Sequence, residues 1–307
     1  MKITIVGTGR VGSAIAFAMT INPMASELVL VNRSRAKAEG DAMDLTHASA
    51  LVNSNQQIVA GDIADSANSD VIVFTASVSL DGLGESKTRL DLAHGNCKVM
   101  EEWIPPLAAA SPKAVIVMVT NPVDVMTSIA CEYSGFPTGR VIGTGTLVDS
   151  VRYRSLLSTE LEIHADDIRA YILGEHGDTQ FAAHSASATG GKRFYPSDTS
   201  KRLFDETVKM GYEVYRRKGH TSYGIALATT AIVDSIVYDL RHTFPVSVHI
   251  EDYLGVNGVC LSLPAVIGRN GVTRVLYPTL EPDEQESFRT SAEVVGKTLA
   301  SLRQEAV

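Results

Sequence analysis

The sequence predicts an α/β fold, with a doubly wound parallel sheet in the N-terminal half and an α+β domain after it. Three observations carry this. Short, nearly all-apolar runs recur at Ile3–Val6, Leu28–Val31, Val71–Thr75, Ala114–Thr120 and Val141–Gly143. Helical patterns at Ser13–Thr20, Ala36–His47, Leu90–Leu107 and Val123–Tyr133 lie between most of them. Strands apolar at every position and separated by helices are buried on both faces, as in a helix-covered parallel sheet. In the second half the order is mixed, which predicts α+β. Helical patterns at Asp149–Ser158, Ser200–Lys218, Tyr223–Leu240 and Asp283–Arg303 alternate irregularly with strand-like runs at Phe244–Val248, Val259–Val266 and Arg274–Leu276.

Within that frame, Pro105-Pro106 are expected to end or kink the third helix, because each ring removes an N–H donor. Glycine and threonine interrupt the periodicity near Gly143–Thr146. The boundary is therefore set there, giving residues 1–143 and 144–307. A chain of 307 residues suits about two domains. Lys plus Arg total 27 against 35 Asp plus Glu, a net charge of −8 that argues against a general nucleic-acid binder. Cys97, Cys131 and Cys260 cannot all pair and form no CxxC, which suits a reducing cytoplasm. No apolar run is long enough to cross a bilayer, and no signal-like segment precedes the first strand. No repeat or low-complexity tract is present.

Gly7-Thr8-Gly9-Arg10-Val11-Gly12 follows the first strand and opens the first helix. The first glycine permits the turn, the second admits a pyrophosphate close to the backbone, and the third lets helix and strand pack. The helix start offers free N–H groups to the anion. This is a dinucleotide-binding pattern, so the N-terminal half is expected to be a Rossmann domain. At the end of the second strand an acidic residue would bind the adenosine ribose. Here stands Asn32, followed by Arg33, Ser34 and Arg35. Two guanidiniums and a hydroxyl suit a 2′-phosphate, so NADP is expected in preference to NAD. The alternative is a solvated basic turn.

Gly174-Glu175-His176-Gly177-Asp178 is the sharpest motif, a histidine exposed between glycines with a pKa range suited to proton exchange. Asp149 and Arg152 begin a helix upstream. Asn121-Pro122 ends a predicted strand, where open α/β sheets place ligands. Arg89 lies beyond a glycine-containing loop.

These residues resemble the L-lactate/malate dehydrogenase family nearly end to end. The resemblance is carried by the glycine loop, Ala38–Leu45, Thr88–Leu92, Asn121–Asp124, Val141–Thr146, the Asp149…Arg152 helix start, Gly174–Asp178 and Gly219–Ala226. It implies an NAD(P)-dependent enzyme in which His176 is the acid/base, Asp149 orients and charges it, and Arg152 clamps the substrate carboxylate. Arg89 would polarise the carbonyl. Asn121 would bind near the substrate oxygen and the nicotinamide, with a cis bond to Pro122. Thr221 would line the side-chain pocket. The cofactor set is Gly7, Gly9, Arg10, Val11, Gly12, Asn32, Arg33, Ser34, Arg35, Thr75, Ala76 and Asn121. A homodimer or homotetramer is implied, acting on a small 2-oxo or 2-hydroxy acid.

The loop Ser77–Thr88 departs from the family pattern. It holds neither the glutamine usual in lactate enzymes nor the arginine usual in malate enzymes, and it is a few residues longer. That resembles the branched-chain L-2-hydroxyisocaproate dehydrogenases. Leu80 and Leu83 would form an apolar lid over a larger side chain, worth ~1.5–3 kcal/mol on burial. The alternatives are that they only anchor the loop, or that Lys87 pairs with a second carboxylate. Asp81 and Glu85 oppose the latter, since they repel a dianion. Arg154 and Arg169 match a fructose 1,6-bisphosphate site of allosteric bacterial lactate dehydrogenases, gathered from neighbouring subunits, although ordinary interface ion pairs are commoner. No histidine or cysteine spacing suits a metal. The intact Gly174–Asp178 motif argues against the metal-using NAD-dependent glycosidases, and the presence of His176 and Arg152 against a non-catalytic cofactor sensor.

Overall fold

The protein is represented by a computed structural model that describes residues 1–52, 54–78 and 89–305. The predicted lid residues Leu80 and Leu83, with Lys87, lie outside the described residues, as does the side chain of Arg89.

The N-terminal half runs β1 (Lys2–Val6), α1 (Arg10–Ile21), β2 (Glu27–Val31), α2 (Arg35–Ser49), β3 (Gln57–Gly61), β4 (Val71–Phe74), α3 (Arg89–Ala110), β5 (Val115–Met118), α4 (Val123–Ser134) and β6 (Val141–Gly143). The strands lie parallel in the order β3-β2-β1-β4-β5-β6. This is the doubly wound Rossmann order, whose direction reverses between β1 and β4. All residues of β4 and β5 are buried, as strands covered on both faces must be. Gly7 and Thr75 follow the ends of the two strands at the reversal point, so the glycine loop sits where such folds bind ligands.

The second half runs α5 (Leu147–Leu161), five two-residue strands, β7 (Ile168–Arg169), β8 (Ile172–Leu173), β9 (Phe181–Ala182), β10 (Ala188–Thr189) and β11 (Lys192–Arg193), then α6 (Asp198–Lys218), α7 (Tyr223–Val237), β12 (His242–His249), β13 (Cys260–Gly268), β14 (Gly271–Val275) and α8 (Pro282–Glu305). Strands β12, β13 and β14 do not form a sheet apart. They extend the first one antiparallel beyond β6, making it nine-stranded, through a single bridge of Ser247 to Gly143. Gly143 suits this corner, because a Cβ there would lie 2.3 Å from the Thr127 hydroxyl and 2.7 Å from the Ser247 Cβ.

Three expectations are corrected. Strand β3 is absent from the sequence reading because its apolar stretch, Ile58–Ala60, is too short to stand out. Of the two outcomes expected at Pro105-Pro106, an end or a kink, the end is excluded, because α3 continues to Ala110. The carbonyls that lose donors there belong to solvent-exposed Glu101 and Glu102, while buried Ile104 and Leu107 pack the other face. Helix α7 stops at Val237, and left-handed Asp239 and Arg241 turn the chain into β12.

Candidate active site

Asp149 occupies the first turn of α5, and its side chain is 4% exposed. Arg152 is one turn later on the same helix face, as the i,i+3 spacing requires. The Asp149 carboxylate is shared. Its Oδ1 accepts from Arg152 Nη1 at 2.9 Å, and its Oδ2 lies 2.7 Å from His176 Nδ1. Burial alone would raise the Asp149 pKa, but the His176 ring and then the Arg152 guanidinium more than offset it, leaving the group below its ordinary value. Burial alone would lower His176, yet the adjacent carboxylates of Asp149 and Asp124 hold it above its ordinary value, and Arg152 opposes them. With Nδ1 engaged, Nε2 is the ring nitrogen available to a ligand.

A cavity of about 570 Å³ opens in front of this pair. His176, Arg152, Asn121, Thr221 and Val11 all line it, so one space holds the predicted acid/base, clamp, amide, pocket residue and part of the cofactor loop. Val148, Val151, Leu156, Met210, Val214 and Ile225 make much of the remaining wall apolar. Gly211 of α6 faces Arg152, and a Cβ there would stand 3.3 Å from Nη1. The Tyr212 hydroxyl donates to Asp178 at 2.8 Å, tying α6 to the loop that carries His176. The Asn121–Pro122 bond is cis, as expected.

The glycine loop fits a dinucleotide. Gly7 has φ +97°, and a Cβ on it would fall 2.7 Å from the Ala76 nitrogen. A Cβ on Gly12 would strike the Gly7 carbonyl at 1.8 Å, whereas around Gly9 nothing lies within 4 Å. The loop is therefore packed behind and open in front, which is the cradle a pyrophosphate needs. Thr75 Oγ1 donates to the Gly7 carbonyl at 2.6 Å and braces it. Gly9 caps α1 without a side-chain hydrogen bond, so the helix start is not occupied by its own side chain. Arg10 Nη1 donates to the Gly219 carbonyl at 3.4 Å.

At the adenosine corner, Asn32 is used internally. Its Nδ2 donates to Thr8 Oγ1 at 2.8 Å, and its Oδ1 accepts from the Ser34 N–H at 3.0 Å. Arg33 is exposed, 3.8 Å from Glu102. Arg35 pairs with Glu39 at 3.0 Å and lies 4.0 Å from Asp62. Arg154 and Arg169 come close to each other; burial first, and then Arg169, lowers the Arg154 pKa. Arg89 opens α3.

Two residues given no role of their own from the sequence touch the site. Asn96, fully buried on α3, donates to the Asn121 carbonyl at 2.6 Å and accepts from the Val78 N–H at 2.8 Å. It links the segment after β4 to the turn bearing Asn121. Asp124 is the other. Its Oδ2 accepts the His176 main-chain N–H at 2.7 Å. Burial pushes its pKa up to about 6, with the Ser247 hydroxyl and the His176 N–H pulling the other way. The sequence signal for Asn96 is a polar residue inside an otherwise apolar helix face, and for Asp124 its place at the end of the Asn121–Asp124 motif. Asp124→Ala should free the His176 main chain and lower kcat/KM by about tenfold, about the value of one hydrogen bond to a charged group; steady-state kinetics checks it.

Residues 1–143 match the lactate/malate dehydrogenase NAD binding domain, and residues 146–305 match the lactate/malate dehydrogenase alpha/beta C-terminal domain. The chain is 38% identical over 312 residues to an L-lactate dehydrogenase of Moorella thermoacetica, covering 98% of this chain and 97% of that one. It is 39% identical over 309 residues to an L-lactate dehydrogenase of a Synechococcus species, covering 99% and 100%. The crystal structure of a minor L-lactate dehydrogenase from Enterococcus mundtii superposes with a TM-score of 0.92 at 32% identity, over 98% of both chains. In fold and in relatedness along nearly its whole length, the chain belongs to the lactate/malate dehydrogenase family and is an oxidoreductase of the lactate dehydrogenase type.

Proposed function

We propose that the protein reduces a 2-oxo acid with an apolar or aromatic side chain to the L-2-hydroxy acid, with NADPH preferred over NADH. Residues 1–143 hold the cofactor and residues 144–307 supply most of the substrate site. The observation that carries the reading is the Asp149 carboxylate bridging His176 and Arg152. His176 gives its Nε2 proton to the carbonyl oxygen. Asp149 fixes the ring tautomer and favours the imidazolium. Arg152, with one nitrogen on Asp149, offers the rest of its fork to the substrate carboxylate. Arg89 polarises the carbonyl, Asn121 binds near the same oxygen, and Thr221 bounds the side chain. A bound nicotinamide supplies the hydride.

The apolar wall of Val148, Val151, Met210 and Val214 supports a substrate larger than pyruvate, as does Gly211, which leaves bare backbone beside Arg152. Leu80 and Leu83 are assigned to the same pocket from the sequence. The NADPH preference is supported by the missing carboxylate at Asn32 and by Arg33, Ser34 and Arg35 around it. The Arg35–Glu39 pair is exposed, and such pairs are worth only about 0–1 kcal/mol, so a phosphate dianion can displace the acid.

A second reading is favoured by the relatives themselves, which carry the name L-lactate dehydrogenase. On it the substrate is pyruvate and the cofactor NADH. One panel separates the two. The first reading expects kcat/KM for 2-oxoisocaproate and phenylpyruvate to exceed that for pyruvate and oxaloacetate, with NADPH above NADH. A tenfold preference for oxaloacetate, or equal use of NADH, sinks the corresponding part.

The Arg154–Arg169 pair is assigned to ordinary ion pairing at a subunit contact of a homo-oligomer. A 2-oxo acid KM that does not respond to fructose 1,6-bisphosphate is the expected result.

A further inference from the structure

We propose that Lys218 is an anion-binding residue of the dinucleotide site, contributed by the substrate half of the chain to the cofactor's pyrophosphate. The assignment rests on the cofactor reading above and adds a residue outside the Rossmann half. Lys218 ends α6 and lies on the wall of the cavity that also holds His176 and, from the glycine loop, Val11. Its ammonium donates to Ser222 Oγ at 3.2 Å and stands 3.6 Å from the centroid of the Tyr223 ring. Both partners line the same cavity. They fix the ammonium in place without neutralising it, and among the described residues no carboxylate pairs with it. A cation held by a hydroxyl and an aromatic face at the rim of a cavity is poised for an anion.

The neighbourhood identifies which anion. The residue after Lys218 is Gly219, whose carbonyl accepts from Arg10 of the glycine loop. This contact lays the α6–α7 turn against the start of α1. The first turn of α1 holds no acidic residue. The helix start, Arg10 and Lys218 therefore form one positive corner beside the loop that Gly9 leaves open. A pyrophosphate held by that loop would be within reach of Lys218, which shares the cavity wall with Val11. The arrangement also couples the two halves, because the turn that Lys218 anchors carries Thr221.

The test reads binding without turnover, by fluorescence titration of NADH and NADPH. Lys218→Met is expected to raise Kd about fivefold, the value of one exposed charge contact. The rise is equal for the two dinucleotides, since both carry the pyrophosphate, and the salt dependence of Kd flattens. Lys218→Arg stays within about twofold of wild type. Lys297→Met on α8 removes the same charge elsewhere and leaves Kd unchanged. The melting temperature of Lys218→Met stays within about 2 °C, as expected for an exposed side chain. An unchanged Kd overturns the proposal. So does a rise for NADPH alone, which would put the ammonium at the 2′-phosphate, or an effect confined to the 2-oxo acid KM, which would put it at the substrate carboxylate. A wild-type protein that binds neither dinucleotide overturns the cofactor reading and this proposal together.

Discussion

His176→Ala is expected to cut kcat for 2-oxo acid reduction by about 10³-fold, within the range spanned by loss of a positioned general acid. Dinucleotide binding should persist, because the glycine loop, Asn32 and the Arg33–Arg35 corner lie in the other half. The wild-type pH profile carries the same assignment. Reduction needs the imidazolium, and Asp149 and Asp124 hold the His176 pKa above its ordinary 6.5. The kcat/KM for reduction is therefore flat below that raised pKa and falls about tenfold per unit above it. Oxidation of the 2-hydroxy acid needs the neutral ring and rises through the same pKa. Asp149→Asn should move the limb to lower pH in both directions of reaction. A loss smaller than tenfold in His176→Ala would remove it from the chemistry.

Arg152→Gln should lower kcat/KM by about 10³-fold, with most of the change in KM. Two parallel charge-assisted hydrogen bonds to the substrate carboxylate are lost, and nothing else described around the cavity offers a planar fork. Arg152→Lys should recover little, because a single ammonium cannot serve Asp149 and a bidentate carboxylate together. This variant pair has a second signature. Arg152 lowers the His176 pKa, so its removal lets that pKa rise and shifts the pH limb upward, opposite to Asp149→Asn. Shifts in the same direction in the two variants would mean that Arg152 acts only by packing against Asp149.

Much of this site is legible in the sequence. The glycine loop is readable because only glycine tolerates φ +97° at position 7 and a 1.8 Å approach at position 12. Asp149 and Arg152 are readable because one helical turn separates them. Their meeting with His176 is less direct, since 23 residues, the β7–β8 segment among them, lie between Arg152 and His176; the family resemblance supplied it. Asp124 and Asn96 were not legible as functional. Asn96 looks like an isolated polar residue in a helix and Asp124 stands in the Asn121–Asp124 motif with no role assigned, and only packing shows that Asp124 holds the His176 main chain and Asn96 the Asn121 turn.

The sequence by itself determined the parallel sheet, the cofactor loop and the placing of Asp149 and Arg152 on one helix face. These rest on local rules: burial on both faces, glycine-only backbone, and spacing along a helix. Tertiary structure alone decided that β12–β14 extend the first sheet, that α3 survives two prolines, and that one carboxylate serves both His176 and Arg152. It also decided that Lys218 and Arg10, 208 positions apart, face the same corner. Long-range contacts have no periodic signature in a chain, because they depend on where whole elements dock.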